Sequence, residues 1–505
     1  MPQRKSTHRL TGEEREFFSL VNRAVFANPF SEEREAIDRE IAGRFPGGTA
    51  EEVLQRAIRE ITLRIDRFEQ EGRGDIRSFS GEERPLVENV FLYDFFHRFL
   101  DRFDGFIAQQ ADAGDTPQSV PFAGEAFALL RKRGFSPRSA RRYFEVAYQL
   151  RRAFFFIHRS IVGSSPCMRE LRRKLWNNVF THDLDLYHRH LWDRMEDFST
   201  LILGETGAGK GAAAAAIGRS GFIPFDEKKN AFTESFTAMF VELNLSQFAE
   251  NLIESELFGH RKGAFTGAVD DYRGVFDRCS RHGVIFLDEI GEVSPPIQIK
   301  LLRVLQERDY RAVGGQRRRR FEGRVIAATN RTLDELRKSG RMRDDFFYRL
   351  CSDVIVVPPL RQRIREDASE LDNLLNFVVE RMLGAASKPV TAAVRDVIQG
   401  RLGVGYPWPG NVRELEQCVR STLLNRRYDG SLSADNQDLA GELARALRDG
   451  TVDGRTLLAG YCFLHHRRWG TYEETARRLK MDRRTVKKHV GRWIRMREEK
   501  AGDPP

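Results

Sequence analysis

No apolar run in the sequence approaches the roughly 20 residues that crossing a bilayer requires. The opening Met1-Pro2-Gln3-Arg4-Lys5 leads into charged sequence rather than an apolar signal region. The expectation is a soluble, cytoplasmic protein with no membrane partner. Cysteine is sparse: Cys167, Cys279, Cys351, Cys418 and Cys462 are scattered without a C-x-x-C pair, which argues against both a disulfide framework and a zinc site. Histidines gather only at His182, His188 and His190, beside Asp183 and Asp185. A solvated helix face accounts for them, with a metal site as the alternative. Acidic residues are short at one place: between Arg467 and Lys500, 13 Lys or Arg stand against 5 Asp or Glu, so most of the formal +10 charge lies there. A basic tail on an otherwise balanced chain suggests nucleic acid. At 505 residues the chain should hold about three domains.

The remainder is organised around Leu201-Ile202-Leu203-Gly204-Glu205-Thr206-Gly207-Ala208-Gly209-Lys210. Three apolar residues read as a buried strand, a glycine-rich loop follows, and Gly211 to Ala216 would open a helix. Strand, glycine loop and helix form a phosphate cradle: backbone N–H groups turn toward anionic oxygens, the helix N-terminus adds partial positive charge, and Lys210 reaches the terminal phosphates. A plain glycine-rich turn is the alternative. A second apolar run, Gly283 to Leu287, ends in Asp288 and Glu289. Beside a phosphate loop, one carboxylate can hold Mg²⁺ and the next can polarise the attacking water. Phe240 to Asn244 and Val325 to Asn330 read as further strands, the latter ending in polar Thr329 and Asn330, suited to sensing a γ-phosphate. Strands alternating with helices imply an α/β fold with a mostly parallel sheet.

Before this region, about Thr11 to Val162 reads as helices. Thr11 with Glu14 and Thr49 with Glu52 have capping-box spacing, and Ser136-Pro137 reads as an N-cap and first-turn pair opening a long helix toward Ile161. Phe91, Phe95, Phe99, Phe103 and Phe106 make an apolar stripe that suits core packing or, alternatively, a ligand pocket. Gly163-Ser164-Ser165-Pro166 breaks the pattern, and a new domain is expected there.

Between the phosphate loop and the paired carboxylates stands Glu256-Leu257-Phe258-Gly259-His260-Arg261-Lys262-Gly263-Ala264-Phe265-Thr266-Gly267-Ala268. By itself, Gly263 to Ala268 is a glycine-flanked loop with an exposed aromatic tip, suited to touching a partner. It resembles the GAFTGA loop of bacterial enhancer-binding proteins, the AAA+ ATPases that activate sigma-54 RNA polymerase. The resemblance runs over most of Ser165 to Leu424, through Leu301 to Gln306, Val313-Gly314-Gly315, Pro358-Pro359-Leu360-Arg361 and Trp408 to Leu415.

The resemblance implies that Gly204, Glu205, Thr206, Gly207, Ala208, Gly209, Lys210 and Gly211 bind ATP, that Asp288 orders Mg²⁺, and that Glu289 activates water. Asn244 falls on the residue that restrains this glutamate. Thr329 and Asn330 fall on the first sensor, Arg413 on the second, and Arg343 and Arg349 on the arginines that reach a neighbouring subunit's site in a ring, expected to be hexameric. Gly263, Ala264, Phe265, Thr266, Gly267 and Ala268 would touch sigma-54. Some departures carry weight: Gly211 stands where most phosphate-loop ATPases have Ser or Thr, so a metal-binding hydroxyl is missing, as it commonly is in this family, while Ala208 replaces the family's usual Thr, Met342 a usual Phe and Gln362 a usual Glu. The segments Thr181 to Thr200 and the polar Phe225 to Thr237 look longer than usual. Arg317 to Arg320 is a basic run, either a solvated turn or a DNA contact.

At the C-terminal end, Leu457 to Leu464, Tyr472 to Leu479 and Arg483 to Trp493 read as three helices, with Lys480-Met481-Asp482 as the last turn. This helix-turn-helix pattern is similar to the Fis-type domains of the same family. Arg483, Arg484 and Lys487 are candidates for base edges, Lys488 and Arg492 for phosphates.

The sequence thus predicts a helical N-terminal regulatory domain (1–162), an α/β ATPase subdomain (163–358), a helical lid (359–428), a linker (429–452) and a helix-turn-helix (453–500). The expected function is activation of sigma-54 RNA polymerase holoenzyme from upstream double-stranded DNA, driven by ATP. The alternative is a DNA-binding repressor that keeps the ATPase frame as a scaffold.

Overall fold

Leu201, Ile202 and Leu203 are apolar in succession, as a strand covered on both faces requires, and all three are buried in an interior strand of a sheet. The computed structural model describes residues 8–43, 48–338, 341–403, 405–430, 434–448 and 450–501. Strands β1 (Thr200–Leu203), β4 (Phe240–Asn244), β5 (Val284–Asp288), β8 (Arg324–Thr329) and β9 (Asp353–Val356) lie in the order β4-β5-β8-β1-β9, with every pairing parallel. Short antiparallel hairpins supply β2 (Phe225–Asp226) with β3 (Ala231–Phe232) and β6 (Asp309–Tyr310) with β7 (Arg319–Arg320). The register aligns Asn244 with Asp288 and Leu203 with Thr329, so the polar residues that end these strands gather at one edge of the sheet. That edge, beyond the carboxyl ends of parallel strands, is where α/β sheets bind ligands.

The chain divides into two compact units, Met1–Leu374 and Leu375–Pro505. The first opens with helices α1 (Gly12–Phe26), α2 (Glu32–Ala42), α3 (Ala50–Gln70), α4 (Glu83–Arg98), α5 (Leu100–Asp112), α6 (Ala123–Lys132) and α7 (Pro137–Ser160). Their starts follow local rules: Thr11 and Thr49 each form a reciprocal capping box with Glu14 and Glu52, and Ser136 Oγ accepts from Ser139 N at 3.1 Å ahead of Pro137. The phenylalanine stripe is core. Phe91, Phe95, Phe99, Phe103 and Phe106 are all buried, and a break at Phe99 separates α4 from α5.

Helices α8 (Pro166–Phe180), the single turn α9 (Leu184–Leu186), α10 (Lys210–Gly218), α11 (Glu250–Phe258), α12 (Val275–Arg278), α13 (Pro295–Glu307), α14 (Leu333–Lys338), α15 (Asp344–Leu350) and α16 (Leu360–Glu366) belong to the α/β part, and α17 (Glu370–Leu383) carries the chain into the second unit. The sequence break near Gly163 is a change of architecture and not a division of the core. One continuous apolar cluster runs from Leu10 through Phe103 and Phe144 to Ala213, Ile217, Phe236 and Val357. The segment Phe225 to Thr237, read as polar, corrects in the same direction. Phe225, Phe232 and Phe236 are buried, and Phe232 stacks on Tyr148 with centroids 4.0 Å apart. Its charged residues lie between these aromatic anchors, which is why average polarity misrepresents it.

In the second unit, α18 (Lys388–Val397) and α19 (Asn411–Asn425) precede α20 (Ala434–Arg448), α21 (Gly454–Trp469), α22 (Tyr472–Leu479) and α23 (Arg483–Ala501). The segment read as a linker, 429–452, therefore contains a helix. Leu439 and Leu443 of α20 pack with Ala459 and Trp493, and Cys462, Ala476, Val486 and Val490 form a second small core beneath α22 and α23. Helix α21 is longer than the sequence pattern suggested, running on to Trp469 before Gly470 (φ 76°) ends it.

Candidate functional site

The glycine loop follows β1 directly and ends at Lys210, the first residue of α10. Gly207 and Gly209 have φ of 77° and 110°, a region that residues with a Cβ rarely occupy. At Gly204 a Cβ would lie 3.1 Å from the Val357 carbonyl, so the loop is pinned against the residue after β9. The N-terminus of α10 lies at this loop, and a helix N-terminus offers its first-turn amides and the positive end of its dipole to anions. Lys210 Nζ folds along this loop, donating to the carbonyls of Gly204 at 2.9 Å and Glu205 at 3.4 Å. Glycine shape, amides and an ammonium make a donor set that fits a polyphosphate.

Asp288 ends β5, and its Oδ1 accepts from Glu289 N at 3.0 Å. Glu289 adopts φ 56°, ψ 45°, a left-handed conformation that costs a non-glycine residue energy and turns the chain sharply off the strand. Burial pushes the Glu289 carboxyl above its ordinary range, the nearby Lys210 ammonium opposes that, and the Asp288 carboxylate adds to it. A half-buried carboxylate poised upward beside a lysine has the character of a general base. Asp288, a hard oxygen donor facing the same edge, fits a Mg²⁺ ligand.

The two sensor candidates separate. Asn330 is exposed and donates from Nδ2 to Thr206 Oγ1 at 3.4 Å, across to the phosphate loop. Thr329 is fully buried, and its Oγ1 accepts from Arg331 N at 3.2 Å. Asn244 lies in register beside Asp288, and its side-chain oxygen accepts from Ser246 N at 3.0 Å and Ser246 Oγ at 2.7 Å. Arg343 pairs with Asp345 at 2.8 Å on the surface at the start of α15. Arg349 is turned inward, with Nε and Nη2 donating to the Leu305 carbonyl at 3.0 and 2.8 Å. Arg413, in the second unit, is exposed on α19.

Sequence reasoning missed Arg361 as part of this neighbourhood. Its guanidinium forks onto the Glu205 carboxylate, with Nη1 2.6 Å from Oε2, tying α16 to the loop. The partners are 156 residues apart, and no local spacing announces them.

The loop Gly263 to Ala268 is a closed turn. Gly263 N donates to the Ala268 carbonyl at 2.8 Å, Ala268 N to that of Phe265 at 3.0 Å, and Gly263 and Gly267 both have positive φ. The Phe265 ring is 37% exposed and meets His260 edge-on at 4.9 Å, while His260 stacks on Tyr272. Below the tip, Arg261 pairs with Asp271, and Arg261 N donates to the Val313 carbonyl at 3.0 Å. The finger is therefore braced at its base and apolar at its end.

In the second unit, Lys480 takes φ 52° to close α22, and Asp482 Oδ1 caps α23 by accepting from Arg484 N at 2.8 Å and Thr485 N at 3.3 Å. Arg484, Lys487 and Lys488 are exposed along α23, Arg483 pairs with Glu473 at 2.8 Å, and Arg492 is half-buried.

Residues 186–356 match the sigma-54 interaction domain, a span that contains the loop, the carboxylates and the finger. The Nif-specific regulatory protein of Azotobacter vinelandii is 37% identical over 287 residues, covering 56% of this chain and 47% of that protein. The Nif-specific regulatory protein of Klebsiella oxytoca is 35% identical over 337 residues, 65% of this chain and 53% of that one. The hydrogenase transcriptional regulatory protein HoxA of Cupriavidus necator is 40% identical over 223 residues, 44% and 42% respectively. The chain spans about half the length of these curated relatives.

Proposed function

We propose that this chain, a relative of the Nif-specific regulators through its sigma-54 interaction domain, is an ATP-driven activator of sigma-54 RNA polymerase. One observation carries the reading. Lys210, Asp288, Glu289 and Asn330 converge at the carboxyl edge of a parallel sheet in the same domain as an aromatic-tipped finger.

In this reading Gly204 to Gly211 hold the nucleotide's phosphates through backbone amides, and Lys210 exchanges its carbonyl partners for phosphate oxygens. Mg²⁺, held by Asp288, supplies neutralisation of phosphate charge when bound. Glu289 takes a proton from the attacking water, and Asn330 reads the terminal phosphate from beside Thr206. Asn244, whose oxygen stays with Ser246, restrains hydrolysis by donating from Nδ2 to the Glu289 carboxylate. Arg343 and Arg349 serve a neighbouring subunit of a homo-oligomeric ring; for Arg349 that requires release from the Leu305 carbonyl. Arg413 contributes from the lid. Gly263 to Ala268, led by Phe265, press on sigma-54. Arg483, Arg484, Lys487, Lys488 and Arg492 hold upstream double-stranded DNA.

The test compares two variants of the full chain. Glu289→Gln should bind ATP and fail to hydrolyse it. Thr266→Ala should hydrolyse ATP and fail to form open complexes on a sigma-54 promoter. Transcription that survives the Thr266 change would refute the finger's role.

A further inference from the structure

The run Arg317-Arg318-Arg319-Arg320 is treated unequally by the fold. Arg319 is structural: on β7 its side chain is 24% exposed and pairs with Asp277, which also accepts from Tyr310 Oη at 2.6 Å. Its neighbours face solvent. Arg318 and Arg320 are 69% and 75% exposed, with carboxylates only at the outer limit of pairing, Asp309 at 3.8 Å and Glu322 at 4.0 Å. Pairs so loose and exposed contribute little. Arg317 is exposed, as is Arg311 on the opposite limb of the hairpin. From Asp309 to Glu322 five arginines stand against two carboxylates, and one arginine suffices for packing.

This charge is fixed to the finger. Val313 N donates to the Gly259 carbonyl at 2.8 Å, and Arg261 N donates to that of Val313 at 3.0 Å. A Cβ at Gly314 would come within 2.8 Å of the Ala264 Cβ, so the two loops are packed closely together. The hairpin and the Phe265 turn form one bonded surface, apolar at one tip and strongly basic at the other.

We propose that the 311–320 hairpin is a second contact surface, and that its partner is the phosphate backbone of DNA at the site where the finger acts. A guanidinium fork matches carboxylate as well as phosphate, but several exposed arginines along one low-acid hairpin suit the dense, linear charge of a duplex backbone, about one charge per 1.7 Å of axis. The contact proposed is with backbone phosphates, which carry no sequence information, although an arginine fork can also meet a guanine edge. It differs in place and kind from the DNA contact assigned to α23, and it rests on the reading that the finger engages sigma-54 holoenzyme.

The test places a photo-crosslinking amino acid at Gln316 of the full chain, traps it with a transition-state analogue of ATP hydrolysis on sigma-54 holoenzyme, and uses a radiolabelled promoter duplex as probe. The expected result is a crosslink to a DNA strand. It should disappear in the combined variant Arg317→Gln, Arg318→Gln, Arg320→Gln, which keeps ATP turnover. The salt dependence of duplex retention should also become shallower, by about 0.9 in log–log slope for each phosphate that the variant no longer neutralises. Holoenzyme captured with crosslinks only to protein, or DNA crosslinks indifferent to the three charges, would overturn the hairpin proposal alone. Failure of the parent chain to capture holoenzyme would overturn the finger reading and this inference with it.

Discussion

Arg152, on the last helix of the N-terminal region, donates from Nη1 to the carbonyl of Arg219 at 2.6 Å and from Nη2 to that of Gly221 at 2.5 Å. These carbonyls follow the end of α10, the helix that begins with Lys210. A guanidinium with no exposed surface thus closes one end of the helix whose other end meets the glycine loop. Gln149 adds a bond to the Ser220 carbonyl at 3.1 Å, and Glu145 accepts from Phe225 N at 2.9 Å. The N-terminal helices therefore take part in holding the α/β domain together.

Arg152→Met should lower unfolding stability by about 2–4 kcal/mol, because charged hydrogen bonds to two part-buried carbonyls disappear and nothing replaces them. Urea unfolding measures this. Deleting residues 1–162 should produce an aggregating protein, since Ala213, Ile217, Phe232 and Phe236 share their core with that region. A soluble, cooperative truncation product would contradict the shared core. Gain or loss of activity on such a deletion would not separate regulation from folding.

Much of this organisation was legible in the sequence because its signals are local. Capping boxes at Thr11 and Thr49, the Ser136-Pro137 start, the apolar strands and the glycine loop all announce themselves within a few residues. The attachment of α7 to α10 was not, because Arg152 and Arg219 are 67 residues apart and an arginine on a helix reads as solvated. The buried phenylalanines of 225–237 were hidden among charged neighbours, and α20 among polar ones. At the site, the parallel sheet followed from the pattern, whereas Glu205 with Arg361 and the separation of Thr329 from Asn330 depend on tertiary placement.

The acid limb of ATP hydrolysis should follow Glu289. Its carboxyl is raised by burial, so the base becomes protonated at a higher pH than an ordinary glutamate. Activity should fall as pH drops through that raised value. The kcat/KM profile of the full chain against pH checks this, with nucleotide binding followed separately. A rate that stays level down to the ordinary glutamate range would remove Glu289 as the titrating base.

Stability should carry a second acid dependence from His97. Burial holds its imidazole down to about 3, with Nδ1 2.8 Å from the Tyr93 carbonyl and the ring against Tyr93 and Phe96. The folded value lies below that of an unfolded histidine, about 6.5, so the unfolded state takes the proton first. The contribution is present in full above about pH 6.5 and declines progressively as pH falls toward 3, by at most about 1.4 kcal/mol per pH unit. His97→Gln should flatten that part of the stability profile. A parent profile with no slope between about pH 6 and 5 would contradict an imidazole held neutral in the folded protein.

Arg484 and Arg483 should behave differently on DNA. Both begin α23, but Arg483 is engaged with Glu473 at 2.8 Å while Arg484 is exposed beside the Asp482 cap. If α23 reads base edges, Arg484→Ala should weaken binding to a cognate upstream duplex by about 1–3 kcal/mol and relax sequence preference at one position. Arg483→Ala should cost less, because in the free protein that guanidinium already has a carboxylate partner that competes with DNA for it. ATP turnover should be unchanged in both. Titrations on cognate and scrambled duplexes at two salt concentrations separate the cases. An Arg484 loss of equal size on both duplexes, with a shallower salt slope, would assign Arg484 to phosphate and leave Arg483 and Lys487 as the base-reading candidates on that helix.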